Sequence, residues 1–248
     1  MKDLILITAY CPDDYREGLL RNLVTSLKSH DLFDLMIVSH TPIPLDIQKK
    51  VDFVLYDKKN EILTDWDMLN QPWFNPMNDR RIQSSFLSKK NTHLAIWRMV
   101  ILGFSNAKNL GYTKVHLMEY DCEINDPSEL LDNSDQLSNY NSVVYVEDKP
   151  PIQSILFGGF QSLYLPNLPN HLINLDEEWV KQLIKEALSK SPELMFQKLL
   201  EKSGNVLYKD RDILEIKSNK FGLVDGQIGN NFIPWAVPFY DRLTNELS

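Results

Sequence analysis

Short apolar runs alternate with segments of helical spacing over the first sixty residues. Leu4 to Ala9 read LILITA, the unbroken apolar run of a strand buried on both faces. The turn Tyr10-Cys11-Pro12-Asp13-Asp14 follows. Asp13 or Asp14 can cap the next helix, which carries Leu19, Leu20, Leu23, Val24 and Leu27 at helical spacing. Leu35 to Ser39 (LMIVS) predicts a second buried strand, and Thr41-Pro42-Ile43-Pro44 a break. Residues 45–50 predict a helical turn and Val51 to Tyr56 a third strand. Strand, helix, strand, short helix, strand is the order of a mostly parallel sheet covered by helices.

Residues 57–87 hold Pro72, Pro76 and many polar groups, and a loop of that length inside a compact domain is usually functional. From Ser88 to Leu110 two apolar ridges predict a long amphipathic helix: Leu94, Trp97, Ile101, Phe104 and Ile96, Val100, Ala107, Leu110. Ser88 can cap it, and Gly111 sits where a helix ends. Lys114 to Glu119 (KVHLME) predicts a strand that runs directly into Tyr120-Asp121-Cys122-Glu123. Val143 to Val146 and Ile155 to Phe157 read as strands on either side of Pro150-Pro151, with Gly158-Gly159 after the second. Residues 176–188 and 192–203 read as helices parted by Ser191-Pro192, and 206–224 as a strand pair. No repeat or low-complexity linker divides the chain, so residues 1–248 read as a single domain.

Composition narrows the partners. A chain of 248 residues buries a sizeable core without staples, and its two cysteines, Cys11 and Cys122, imply no disulfide framework. They suit a reducing compartment. A net charge of −8 opposes binding to duplex DNA or RNA. No apolar run approaches the ~20 residues that span a bilayer, and the apolar run at the N-terminus is shorter than a signal-peptide core. A cytoplasmic protein is the expectation.

The chemistry concentrates at Glu119-Tyr120-Asp121-Cys122-Glu123. In open α/β sheets ligands bind beyond the carboxyl ends of strands. Alternate residues of a strand share a face, so Glu119 and Asp121 are expected on one side. Two such carboxylates repel unless a cation or protons neutralise them, and their oxygens suit Mg²⁺ or Mn²⁺ bridging to a diphosphate. Acids at a solvated strand end give the same pattern.

Residues 88–123 run helix, Leu110-Gly111-Tyr112, strand, Glu-x-Asp. In that order and spacing they resemble the core of GT-A glycosyltransferases. The first strand and helix and the Ile37-Val38-Ser39-His40-Thr41 segment are similar to that family's nucleotide-binding half, and the resemblance extends over residues 3–165. It implies an α/β, Rossmann-like, mostly parallel sheet flanked by helices with a C-terminal α+β acceptor-side region. Residues 1–123 would be the nucleotide-sugar-binding half and 124–248 the acceptor-side half. It also implies a nucleotide-diphosphate sugar as donor, a glycan or small molecule as acceptor, and a divalent metal. The family's Asp-x-Asp is Glu119-x-Asp121 here, so Asp121 becomes the direct metal ligand, with Glu119 contacting the sugar or supporting the ion.

The same resemblance places Thr8, Ala9 and Tyr10 against the nucleoside, where Tyr10 can stack on a base or simply pack on the first helix. Asp57 is a second base or ribose candidate, or a turn residue. Arg81 and Lys90, with Arg80 and Lys89, can clamp the diphosphate or form a solvated face. Gly158 and Gly159 border the sugar pocket or make a turn. Glu193 and Asp176, both at helix starts, are the candidates for the catalytic base, although acids commonly cap helices there. The family's frequent C-terminal histidine ligand is missing after His171, with Asp225 as a possible replacement. Two rivals stand beside this reading. A sugar-phosphate nucleotidyltransferase would show a Gly-rich loop after the first strand, and here there is no glycine before Gly18. A non-catalytic binding protein could keep the fold without the chemistry.

Overall fold

The computed structural model describes residues 2–11, 14–58, 92–122, 128–149, 152–174 and 192–210. The first elements are β1 (Leu4–Ala9), α1 (Asp14–His30), β2 (Asp34–Ser39), α2 (Leu45–Gln48), β3 (Phe53–Tyr56), α3 (Thr92–Asn109) and β4 (Lys114–Glu119). They are followed by α4 (Ser128–Gln136), β5 (Ser142–Lys149), β6 (Ile152–Tyr164), a 3-10 turn (Leu165–Asn167), α5 (Asn170–Ile173), α6 (Pro192–Ser203) and β7 (Val206–Asp210).

The strands form one sheet in the order β3-β2-β1-β4-β6-β5-β7. β1 pairs in parallel with β2 and β4, β2 with β3, and β5 with β7; β6 runs antiparallel to both of its neighbours. The sheet is therefore mostly parallel, as the sequence predicts. β1 lies at its centre and is fully buried, which is why it is apolar throughout. Alternation then divides its side chains between two cores. Leu4 and Leu6 face Trp97, Val100, Ile101 and Phe104 of α3. Ile5, Ile7 and Ala9 face Leu20, Leu23, Val24 and Leu27 of α1.

Local chemistry sets where the elements stop. α3 ends in a Schellman motif: the Gly111 amide donates to the Lys108 carbonyl and the Tyr112 amide to the Ala107 carbonyl, both at 3.0 Å. Gly111 supplies the required positive φ of 90°. Leu110, counted on an apolar ridge above, lies past the helix end and is exposed. Inside the same helix Gly103 allows close contact with the sheet, since a Cβ there would fall 2.5 Å from a Leu6 methyl carbon.

Two further expectations change. α4 does not stand out in the sequence, because it buries Asn133 and Ser134 beside Leu130. Those side chains belong to a buried polar network. His116 of β4 lies 2.8 Å from Ser162 Oγ through Nδ1 and 3.0 Å from Ser134 Oγ through Nε2. Asn133 donates to Ser162 Oγ and exchanges hydrogen bonds with the Tyr145 hydroxyl. Lys209 of the edge strand β7 closes the network on Glu129 and Asp132. The second change concerns Gly158 and Gly159, which lie within β6 and not in a turn after it. β6 is continuous there because its pairing with β5 slips: Val144 faces Gln161 but Val146 faces Leu156, an irregularity that absorbs the glycine pair.

No helix among the described residues is long and apolar enough to cross a membrane.

Candidate functional site

The strand order reverses between β1 and β4. From β1 the chain builds outward to β2 and β3, and then β4 returns to the other side of β1. At such a reversal the flanking connections leave in opposite directions and open a crevice beyond the carboxyl ends of the two strands. Thr8 and Glu119 are register partners there, and the Tyr120 amide donates to the Thr8 carbonyl at 3.1 Å. The Thr8 hydroxyl lies 3.4 Å from the Met118 carbonyl, so its side chain braces the two strands. Thr8-Ala9-Tyr10 and Glu119-Tyr120-Asp121 therefore emerge side by side.

β4 ends at Glu119. Tyr120 and Asp121 occupy a turn that the Cys122 amide closes on the Glu119 carbonyl at 3.1 Å. Strand alternation thus does not extend to Asp121, and the one-face argument made from the sequence no longer applies. What keeps Glu119 and Asp121 near each other is the tightness of the turn. Carried one residue beyond its last pair, Met118 with Phe160, the antiparallel β4–β6 register would set Gly159 level with Glu119.

Tyr10 stacks on His40, with ring centroids 4.9 Å apart and planes inclined by 15°. His40 Nδ1 lies 3.2 Å from Met99 Sδ of α3. Thioether sulfur only accepts, so Nδ1 carries the hydrogen. The other ring nitrogen, Nε2, is buried and meets no hydrogen-bond partner among the described residues. Burial depresses the His40 pKa to about 4, outweighing the upward pull of Asp57, so the ring is neutral at pH 7. The loop below is tied by Thr41, whose hydroxyl accepts from the Cys11 amide at 3.0 Å and whose carbonyl accepts from Ser39 Oγ at 2.7 Å.

Asp57 follows β3, and its amide donates to the Ser39 carbonyl at 2.9 Å. Its carboxylate is held by Arg98 of α3: Nε lies 3.1 Å from Oδ2 and Nη2 3.0 Å from the same oxygen, with both side chains 10% exposed. The structure thus gives Asp57 a structural partner, which the sequence alone did not show.

Arg16, in the first turn of α1, was also not singled out in the sequence. Its guanidinium lies 5.8 Å from the Tyr10 ring centroid, and its carbonyl lies 3.7 Å from Cys11 Sγ. The Tyr120 hydroxyl lies within the field of its charge. Burial and the nearby Asp121 carboxylate raise the pKa of that phenol, and Arg16 pulls it back in part.

Carboxylate oxygens are the donors that Mg²⁺ and Mn²⁺ take, and such ions complete their shells with water and phosphate oxygens. Glu119 and Asp121 fit that requirement in kind. Among the described residues no group of three His, Cys, Asp or Glu side chains converges to form a fuller cage. Glu193 falls in the first turn of α6, which begins at Pro192 as predicted. Asp176, Arg81, Lys90 and Asp225 lie outside the described residues.

No protein-family model matches the chain, and no curated protein matches it in sequence. In three dimensions the architecture is the GT-A fold, the Rossmann-like frame of nucleotide-diphospho-sugar transferases. Core-mannan synthase A of Aspergillus fumigatus in its Mn/GDP form aligns with a TM-score of 0.50 and 10% identity, over 88% of this chain and 74% of that one. A protein named as a glucose-1-phosphate thymidylyltransferase of Bacillus anthracis, in complex with sucrose, aligns with a TM-score of 0.52 and 10% identity, over 93% of this chain and 94% of that one. The galactosyltransferase LgtC, in complex with donor and acceptor sugar analogues, gives 0.47 and 15% identity over 83% and 72%.

Proposed function

We propose that this chain is a glycosyltransferase that moves a sugar from a nucleotide-diphosphate donor to a glycan or small-molecule acceptor with the help of a divalent ion. The observation that carries the reading is the Thr8–Glu119 register. It supports the reading because it brings the ends of β1 and β4, with Tyr10 and the Glu119-x-Asp121 turn just beyond them, side by side at the reversal of strand order, where such sheets bind ligands.

In this reading the base lies against the aromatic platform made by Tyr10 and His40, with the donor diphosphate toward the β4 turn. Asp121 would hold Mn²⁺ or Mg²⁺ directly, and Glu119 would orient the ion or the sugar. Bound there, the ion would supply Lewis-acid stabilisation of the charge that develops on the departing diphosphate. Gly159, which the β4–β6 register would set level with Glu119 if carried one residue further, would leave room for the sugar because it has no side chain. Glu193 and Asp176 remain the candidates to take the acceptor hydroxyl proton in an inverting reaction.

The thymidylyltransferase neighbour keeps the nucleotidyltransferase alternative in view, because the two chemistries share this frame. Titration calorimetry with nucleoside diphosphates, with and without Mn²⁺, and assay of the products separate the readings. Metal-dependent diphosphate binding with release of sugar from nucleotide-sugars supports the glycosyltransferase. Pyrophosphate released from a nucleoside triphosphate and a sugar phosphate supports the alternative. Binding with no turnover of either kind indicates a binding protein of this fold, and absence of any nucleotide binding overturns the proposal.

A further inference from the structure

The β1–β2 ladder stops with Ala9 level with Ser39. Counted one residue on, its register would set Tyr10 beside His40, and two residues on, Cys11 beside Thr41. Both pairs are in contact. The Tyr10 and His40 rings stack at 4.9 Å, and the Cys11 amide donates to Thr41 Oγ1 at 3.0 Å. A side chain therefore supplies a rung after the backbone pairing has ended. The chain bends at His40 and Thr41, ahead of Pro42, which has no N–H to offer a ladder.

Thr41 is itself fixed. Ser39 Oγ donates to the Thr41 carbonyl at 2.7 Å and accepts from the Thr41 amide at 3.1 Å. The one hydroxyl hydrogen of Ser39 goes to that carbonyl, so the 3.2 Å contact between the two hydroxyls is a donation from Thr41 to Ser39. Thr41 Oγ1 then keeps its lone pairs for the Cys11 amide. Each of these four hydrogens has an acceptor. Ser39 is buried and level with a strand residue on either side, Ala9 in β1 and Tyr56 in β3, so the brace starts from a rigid point. It ends on the peptide that joins Tyr10 to Cys11, which is planar, so the bond fixes the backbone on which the Tyr10 ring stands. Cys11 is buried, and an amide there that lost its acceptor would be costly.

We infer that Thr41 is a positioning residue for the base platform: its hydroxyl ties the chain beyond Tyr10 to the chain beyond His40 and so keeps the two rings stacked. Thr41 has this role only if the proposed function holds, because that reading gives the rings their ligand. It acts through the Cys11 amide and needs no contact with the ligand.

Two variants separate the hydroxyl from the volume it occupies. Thr41→Val keeps the shape and cannot accept a hydrogen bond, whereas Thr41→Ser keeps the acceptor. Titration calorimetry measures UDP, GDP and inorganic pyrophosphate, each with Mn²⁺. For whichever base the wild type prefers, Thr41→Val should weaken the nucleoside diphosphate about threefold to tenfold, the range of an aromatic contact, and leave pyrophosphate unchanged. Thr41→Ser should restore wild-type affinity. In the free protein, NMR of carbon-13-labelled histidine follows the His40 ring, whose signal is identified by its absence in His40→Gln. That signal should move in Thr41→Val and stay in place in Thr41→Ser. Equal losses for the nucleoside diphosphate and pyrophosphate overturn the inference, as do no loss, a serine variant as weak as the valine one, or an unmoved ring signal. A wild type that binds neither UDP nor GDP overturns the parent reading and this role with it. The ring signal tells that failure from a failure of the brace, because it moves with or without a nucleotide. Thermal melts identify unfolding, and a valine variant that does not fold is replaced by Thr41→Ala.

Discussion

Thr8 and Glu119 stand level across the β1–β4 ladder, and the next rung is the Tyr120 amide on the Thr8 carbonyl at 3.1 Å. That pairing fixes where the acidic turn begins. Glu119 is the last residue whose position the sheet dictates, and Asp121 is held by the turn alone. The two acids should therefore respond differently to substitution. Asp121→Asn removes a charge from the proposed ion while keeping the shape of the side chain. It should abolish metal-dependent diphosphate binding and turnover without lowering the melting temperature. Glu119→Gln should weaken the same binding by about 10- to 100-fold, the range seen for outer-shell partners of a metal. Titration with Mn²⁺ and a nucleoside diphosphate checks both, and wild-type affinity in Asp121→Asn would remove the metal assignment.

Tyr10 has a second contact that bears on its proposed role. One face of its ring is stacked on His40 and the Arg16 guanidinium lies over the ring, so a base would compete with Arg16 for what remains of it. An aromatic pair contributes about 0.5–1.5 kcal/mol beyond area burial, or roughly twofold to tenfold in affinity. Tyr10→Phe should leave nucleoside affinity nearly unchanged, and Tyr10→Ala should reduce it within that range. If Tyr10→Ala lowers stability and leaves nucleoside binding intact, the ring only packs on His40.

The elements legible in the sequence are those whose identity depends on burial alone. β1 is apolar because both of its faces are covered, and α1 and α3 show their ridges because each lies on one face of the sheet. Three features were not legible, for physical reasons. α4 is short and turns Asn133 and Ser134 inward beside Leu130, so its buried face is partly polar and too few apolar residues mark it in the sequence. The Asp57–Arg98 pair joins residues 41 apart in sequence, across a strand end and a helix. Arg16 reads as an ordinary surface residue of an amphipathic helix until the fold brings the first turn of α1 over the end of β1. That the acidic turn follows a strand was legible, because Lys114 to Glu119 reads as a buried strand. The geometry of Asp121 was not, because the strand ends two residues before it, at Glu119.

Asp57 offers a direct test of structure against recognition. Its bond to Arg98 is almost sheltered from water, with both side chains 10% exposed. Removing one member of such a pair leaves the other charge buried, at a cost of about 3–5 kcal/mol, whereas replacing both can be nearly neutral. Arg98→Met alone should therefore destabilise strongly, and Asp57→Leu with Arg98→Met should recover much of the loss. Urea unfolding of the two single variants and the double variant measures the coupling. Additive losses would show that the pair is not coupled. That outcome would favour a recognition role for Asp57 over a structural one.

His116 lies at the centre of the buried network, with both ring nitrogens engaged by serine hydroxyls. Burial, helped by the Lys114 charge, depresses its pKa from the ordinary 6.5 to about 3. In the unfolded chain the ring takes up a proton below about 6.5, while in the folded chain it stays neutral down to about 3. Between those values the unfolded state binds more protons, so stability rises with pH across the window and falls as the medium is acidified through it. His40 contributes in the same direction between 6.5 and about 4. His116→Gln retains a donor and an acceptor but cannot titrate. Its urea midpoint should be lower than that of the wild type at pH 7, yet fall less steeply between pH 6.5 and 4.5. The comparison uses the slope, so an overall loss of stability in the variant does not obscure the result. Parallel slopes would mean that the imidazole is reached by water or already charged, and the network would then not be the sealed polar core that its hydrogen bonds describe.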